Sequence, residues 1–192
     1  MEASNNFKNY LSLLTEIFQN SDVNKLDNLY KSLDKKFSDG GNIFIAGNGG
    51  SAAISSHAAT DLNKLSRGNE TLNAICLTSN ISAITAYAND AGYENVLVNL
   101  IKNYNPSTED VLITISSSGN SENIINLVNY SKKCGIQVFS LLGFDGGLVK
   151  DIVEDHIIFS TPKSYYGPVE DLHMMVFHLY AHIIKNDISE LK

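Results

Sequence analysis

The chain has 192 residues, 43% of them hydrophobic, with a formal net charge of −7. That length suits one domain with a sizeable core, and an acidic balance without a basic block excludes broad nucleic-acid affinity. No uncharged run nears the length that crosses a bilayer, and residues 1–5 lack the charged-then-apolar layout of a signal peptide, so a soluble, cytoplasmic protein with no membrane partner is expected.

The first forty residues carry two helical patterns. In the first, Phe7, Tyr10, Leu11, Leu14, Ile17 and Phe18 recur at spacings of three and four and form one apolar stripe. In the second, Ser21 or Asp22 can act as cap, Val23, Leu26, Leu29, Tyr30, Leu33 and Phe37 form the stripe, and Gly40-Gly41 stops it. Two amphipathic helices ahead of the first strand exceed what a small sheet needs, so at least one is expected to contribute to oligomer contacts.

Strands are then predicted at 42–46, 72–77, 111–115, 136–142 and 156–160. Helices are predicted over 51–65, 80–88, 93–103, 121–133, 148–152 and 168–188, with Asn89-Asp90-Ala91-Gly92 as a break. Continuous apolar strands alternating with helices predict an α/β fold. It is a three-layer αβα sandwich around a five-stranded parallel sheet, preceded by two N-terminal helices and spanning residues 1–192 as one domain. Cys76 and Cys134 lie in or beside apolar runs without metal spacing and read as core thiols in a reducing compartment.

Two strand-to-helix loops carry the binding signal. After the first strand comes Gly47-Asn48-Gly49-Gly50-Ser51, where glycines let the backbone approach a ligand and the following helix opens with unpaired N–H groups. After the third comes Ser116-Ser117-Ser118-Gly119-Asn120-Ser121, whose four hydroxyls offer donors to a phosphate without fixed positive charge. Both loops leave strands at their carboxyl ends, which places them in one crevice. Neither has the G-x-G-x-x-G spacing or the lysine of a nucleotide-triphosphate loop, which counts against NAD and ATP.

Titratable groups gather on two helices. His57 and Asp61 lie four apart on the helix after the glycine loop, and Glu170, His178 and His182 share one side of the last helix. If the helices meet, His57, Asp61, Glu170 and His178 can hold zinc or another divalent ion, or equally supply an acid and a base. Spacing leaves both open. His173 and His182 read as ordinary partly buried side chains.

Together these residues resemble the sugar isomerase (SIS) domain family, and within it the phosphoheptose isomerases. The resemblance runs through Gly47 to Ser51, His57 with Asp61, Asn89-Asp90, Ile115 to Ser121, Gly143-Phe144-Asp145-Gly146-Gly147 and the stretch from Val169 to His178. It implies a Rossmann-like SIS domain and a homotetramer with active sites between subunits. It also implies an aldose–ketose isomerase that acts on a phosphorylated ketose or aldose, converting sedoheptulose 7-phosphate into glycero-manno-heptose 7-phosphate.

By the same resemblance Ser51, Ser116, Ser118 and Ser121 hold the phosphate within a loop set that includes Gly49, Gly50 and Ser117. Asn48 and Asp90 line the substrate cavity, Glu170 adds a contact, Asp61 and His178 are catalytic, and a metal sits on His57, Asp61, Glu170 and His178. The chain departs from the family pattern at Asp61 (usually glutamate), Glu170 (usually glutamine), Gly167 (aspartate) and Leu65 (a basic residue). An isomerase of another phosphosugar and a non-catalytic phosphosugar-binding or scaffolding protein are the other readings of these residues.

Overall fold

A computed structural model describes residues 3–185. In chain order the elements are α1 (Ala3–Gln19), a 3-10 turn (Val23–Lys25), α2 (Leu26–Asp39), β1 (Ile43–Gly47) and α3 (Gly50–Asn63). A two-residue ribbon, β2 (Ser66–Arg67) and β3 (Glu70–Thr71), precedes β4 (Ala74–Cys76), α4 (Ile81–Ala91), a 3-10 turn (Tyr93–Asn95) and α5 (Val96–Lys102). Then follow β5 (Val111–Ser116), α6 (Glu122–Lys133), β6 (Gln137–Gly143), α7 (Val149–Ile152), β7 (Asp155–Phe159) and α8 (Tyr166–Lys185). The expected end of the last helix, 186–188, lies outside the described residues.

The main sheet has five parallel strands in the order β4-β1-β5-β6-β7. Alternate residues feed opposite layers, as the two-residue period of a strand requires. Ile43, Ile45, Val111, Ile113 and Ile115 point to a core shared with α2, α3 and α8. Phe44, Ala46, Leu112, Val138 and Leu142 point to a second core with α5, α6 and α7. Strand order reverses between β1 and β5: the chain first steps to β4 on one side, then crosses to β5 on the other. An open α/β sheet binds ligands at such a point, outside the carboxyl ends of the two strands.

Three local differences from the expected elements have simple causes. Asn89, Asp90 and Ala91 continue α4 instead of breaking it, because Gly92 at φ 82 is what ends the helix. The 93–103 segment splits into a 3-10 turn and a seven-residue helix. Neither expected cap closes α2: Asp22 makes no side-chain cap bond, and Ser21 Oγ donates backwards to the Ile17 carbonyl. Leu65, where the resemblance led to a basic residue, is 2% exposed and belongs to the core, so its apolar side chain serves packing. Cys76 and Cys134 are both free thiols.

Candidate active site

At the switch point the loops after β1 and β5 enclose a crevice of about 260 Å³. It is lined by Asn48, Gly49, Gly50, Ser51, Ser116, Ser117, Ser118 and Ser121, with Tyr166 and Glu170 contributed by α8. Two helices, α3 and α6, open onto it. Their N-cap positions, Gly49 and Ser121, make no side-chain cap bond, whereas Asn80 caps α4 by accepting from the Ala83 N–H. No N-cap side chain therefore competes with an anion for the N–H groups at the very start of these helices, although those of Ala52 and Ile124 already have partners within the chain.

The serine loop is built to present protons. Ser116 Oγ accepts from the Gly119 N–H at 3.1 Å and Ser118 Oγ from the Asn120 N–H at 3.2 Å. A hydroxyl whose oxygen accepts within the loop keeps its own hydrogen free to donate. Ser117 Oγ is buried without a partner among the described residues. The loop after β6 braces this one from behind: the Val149 N–H donates to the Gly119 carbonyl and the Leu148 N–H to Asn120 Oδ1, each at 3.0 Å. At Gly119, φ 60, a Cβ would run into the Gly146 carbonyl oxygen, so only glycine lets the two loops touch.

Asn48 does more bracing than its place in the glycine loop suggests. Its Nδ2 donates to Asn123 Oδ1, and its Oδ1 accepts from Asn123 Nδ2 and from the Tyr93 hydroxyl, each at 2.9 Å. The reciprocal amide pair ties the β1 loop to α6. Neither Asn123 nor Tyr93 stood out in the sequence, where a lone asparagine on a helix and a tyrosine after a glycine carry no spacing signal.

The second cluster lies farther along α3. His57 Nε2 is 3.0 Å from Asp61 Oδ2, and His178 Nε2 is 3.8 Å from that oxygen and 3.2 Å from His57 Nε2. Small Ala58 and Ala59 on α3 pack with Phe177 and Ala181 of α8 in one core, which lets the helices approach and brings the imidazoles together edge to face, with planes at 67°. All three side chains are partly open to solvent. Their ligand atoms lie within 4.8 Å of one another. Between two Nε2 atoms 3.2 Å apart there is room for a single proton, so a carboxylate and two imidazoles aimed at one point suit either a shared proton or a divalent cation.

Two expected site residues stand apart from the others within the chain. Glu170 does not join this cluster: it stands eight residues before His178, about 12 Å along the α8 axis at 1.5 Å per residue. Its carboxylate lies instead against the backbone of Gly50, in the crevice. Asp90 is not part of the crevice lining. It is exposed in the last turn of α4, where its Oδ1 accepts from Asn89 Nδ2 at 2.9 Å.

Among the remaining histidines, His173 is fully buried. Its Nε2 pairs with the Leu142 carbonyl at 3.1 Å, its Nδ1 has no partner among the described residues, and burial pushes its pKa down to about 4. His182 is exposed and lies outside the cluster. Gly167 faces the Tyr10 hydroxyl, which in turn donates to Asp171 Oδ2 at 2.6 Å.

Fold and crevice together define a class: doubly wound α/β proteins that hold a phosphorylated small molecule at the switch point of the sheet. The SIS domain family model matches residues 6–143, and the chain belongs to that family, in its phosphoheptose isomerase branch. A phosphoheptose isomerase of Pelodictyon phaeoclathratiforme is 36% identical over 153 residues, 78% of this chain and 71% of that protein. One from Helicobacter pylori (strain P12) is 38% identical over 152 residues, 78% of this chain and 77% of that protein. The solved phosphoheptose isomerase of Neisseria gonorrhoeae matches with a TM-score of 0.82 at 26% identity, over 96% of this chain and 97% of that one. No helix among the described residues is long and apolar enough to cross a membrane.

Proposed function

We propose that the protein is an aldose–ketose isomerase that converts sedoheptulose 7-phosphate into D-glycero-D-manno-heptose 7-phosphate through an enediol(ate). One observation carries the reading: Asp61 meets His57 and His178 at a substrate's length from the serine crevice. His57 lies seven residues beyond Gly50 on α3, about 10 Å along the axis, roughly the reach of an extended seven-carbon chain from its terminal phosphate to C1 and C2. A five-carbon ketose phosphate seated by its phosphate falls short of that distance.

The phosphate is held by Ser51, Ser116, Ser118 and Ser121 with the first-turn N–H groups of α3 and α6. Binding energy gained there positions the distant carbonyl. Asp61 removes a proton from C1 while His178 protonates the C2 carbonyl oxygen, which gives the enediol. Removal of the O1 proton and return of a proton to C2 then completes the aldose, with the two side chains exchanging roles. Asp61 is one methylene shorter than glutamate, yet its Oδ2 is close to both imidazoles. His57 orients that carboxylate through the 3.0 Å contact. Zinc or another divalent ion would be held by His57, Asp61 and His178 and would supply Lewis-acid polarisation of the carbonyl.

We also propose a homotetramer. Phe7 and Leu11, one turn apart on α1, are 63% and 48% exposed, and Met175 and Ile183 on α8 are about as open as Leu11. These apolar faces suit burial between copies, with a neighbouring subunit completing the open side of the site. The function is tested by turnover of a panel of five-, six- and seven-carbon ketose phosphates. Highest kcat/KM on sedoheptulose 7-phosphate supports it; preference for a shorter sugar reassigns the substrate.

A further inference from the structure

One hydrogen-bond chain decides which way an amide in the crevice wall faces. It starts at the Ile124 N–H, which donates to Asn123 Oδ1 at 3.0 Å. A backbone N–H can only donate, so the oxygen of the Asn123 amide must lie on that side. The same oxygen accepts from Asn48 Nδ2, and Asn123 Nδ2 donates to Asn48 Oδ1, each at 2.9 Å. Asn123 is 3% exposed, so water does not stand in for either bond.

The Tyr93 hydroxyl ends the chain by donating to Asn48 Oδ1, also at 2.9 Å. A carbonyl oxygen has two lone pairs, and both on Asn48 are now taken. One Nδ2 hydrogen of Asn48 goes to Asn123, and the other has no partner among the described residues. Asn48 lines the crevice beside Gly49, Gly50 and the serine loop, so that hydrogen is left for a bound anion. Reversing the amide would set Asn48 Oδ1 against Asn123 Oδ1 and nitrogen against nitrogen, two repulsive contacts in a buried place. A phosphate dianion accepts hydrogen bonds and has none to give, so an amide oxygen turned inward would oppose it.

We propose that Asn123 is a positioning residue for phosphate binding: it fixes the Asn48 amide so that the wall after β1 offers the crevice a donor and no acceptor. This rests on the crevice as the seat of the phosphate. Asn123 is not among the residues that line the crevice, and it acts through Asn48.

The test is a double-mutant cycle on the full chain, read by calorimetric titration with inorganic phosphate. Asn48→Ala and Asn123→Ala should each raise the Kd about tenfold, the loss of one hydrogen bond to a charged group. The double variant should be no weaker than Asn48→Ala alone, about tenfold and not about a hundredfold below the parent. A residue with only a structural role would weaken binding further in the Asn48→Ala background. Asn123→Ser keeps an oxygen for the Ile124 N–H but cannot pair with both polar atoms of Asn48, and it repeats the cycle if Asn123→Ala does not fold. Additive losses, or a replaced Asn123 that binds phosphate as tightly as the parent, overturn the proposal and leave the crevice assignment standing. A parent protein that binds no phosphate overturns both.

Discussion

The Nε2 atoms of His57 and His178 lie 3.2 Å apart, although 121 residues separate them in the chain. Asp61 Oδ2 faces both, so three groups able to carry or accept a proton converge on one point. A site of this kind divides labour with the crevice: the crevice binds and the cluster reacts.

Replacement of His178 separates the two tasks. His178→Gln should lower kcat by about 10²–10⁴ while the Kd for sedoheptulose 7-phosphate changes little, because the side chain lies outside the crevice lining. Rapid-quench turnover together with calorimetry measures both. Equal loss of binding and rate would count against the division.

Metal retention distinguishes the three-residue cluster from a four-residue one. After exposure to zinc and gel filtration, the protein should retain about one ion per chain by elemental analysis, and Asp61→Asn should lower that affinity about 10–100-fold. Glu170→Gln should leave it unchanged, since Glu170 leans on Gly50 and not on the cluster. Loss of zinc in the Glu170 variant would put that carboxylate among the ligands.

The serine loop should respond differently to loss of a donor and to loss of its shape. Ser118→Ala removes one hydroxyl and should raise KM about tenfold with kcat nearly unchanged. Gly119→Ala forces a Cβ toward the Gly146 carbonyl at a positive φ and should cost about 1–3 kcal/mol of stability as well as phosphate binding. Urea unfolding and phosphate titration measure the two effects; a Gly119→Ala protein as stable as the parent would mean the loops are not interlocked.

The sheet and both binding loops were readable because strand runs such as Val111 to Ile115 and a Gly- or Ser-rich turn leave local marks in the sequence. His57 and Asp61 were readable as a pair from their four-residue spacing. Their meeting with His178 rests on how α3 packs on α8, which no local pattern encodes. Helical phase is incomplete at Glu170: an i,i+4 ladder puts Glu170 and His178 on one side, but says nothing of the axial distance between them or of which neighbour each one meets. Asn123 and Tyr93 were missed for the same reason. Each matters through a partner far away in the chain, Asn48.

His173 should leave a signature in acid. Folded, its imidazole stays neutral down to about pH 4, whereas in the unfolded chain it takes a proton near its ordinary value of 6.5. Between these values the unfolded state binds more protons, so stability is fully present above pH 6.5 and is lost as pH falls toward 4, by about 3 kcal/mol from this residue. His173→Gln should flatten that slope in urea unfolding between pH 7 and 4.5. Parallel slopes for parent and variant would contradict the burial argument.

The central claim is proton transfer at C1 and C2 by the cluster on α3 and α8. Incubation of sedoheptulose 7-phosphate with the protein in heavy water, read by proton NMR and mass spectrometry, tests it most directly. The account predicts deuterium at C1 of the recovered ketose and at C2 of the aldose formed, with both lost in Asp61→Asn. Sugar that binds yet gains no deuterium, with or without added zinc, would contradict it.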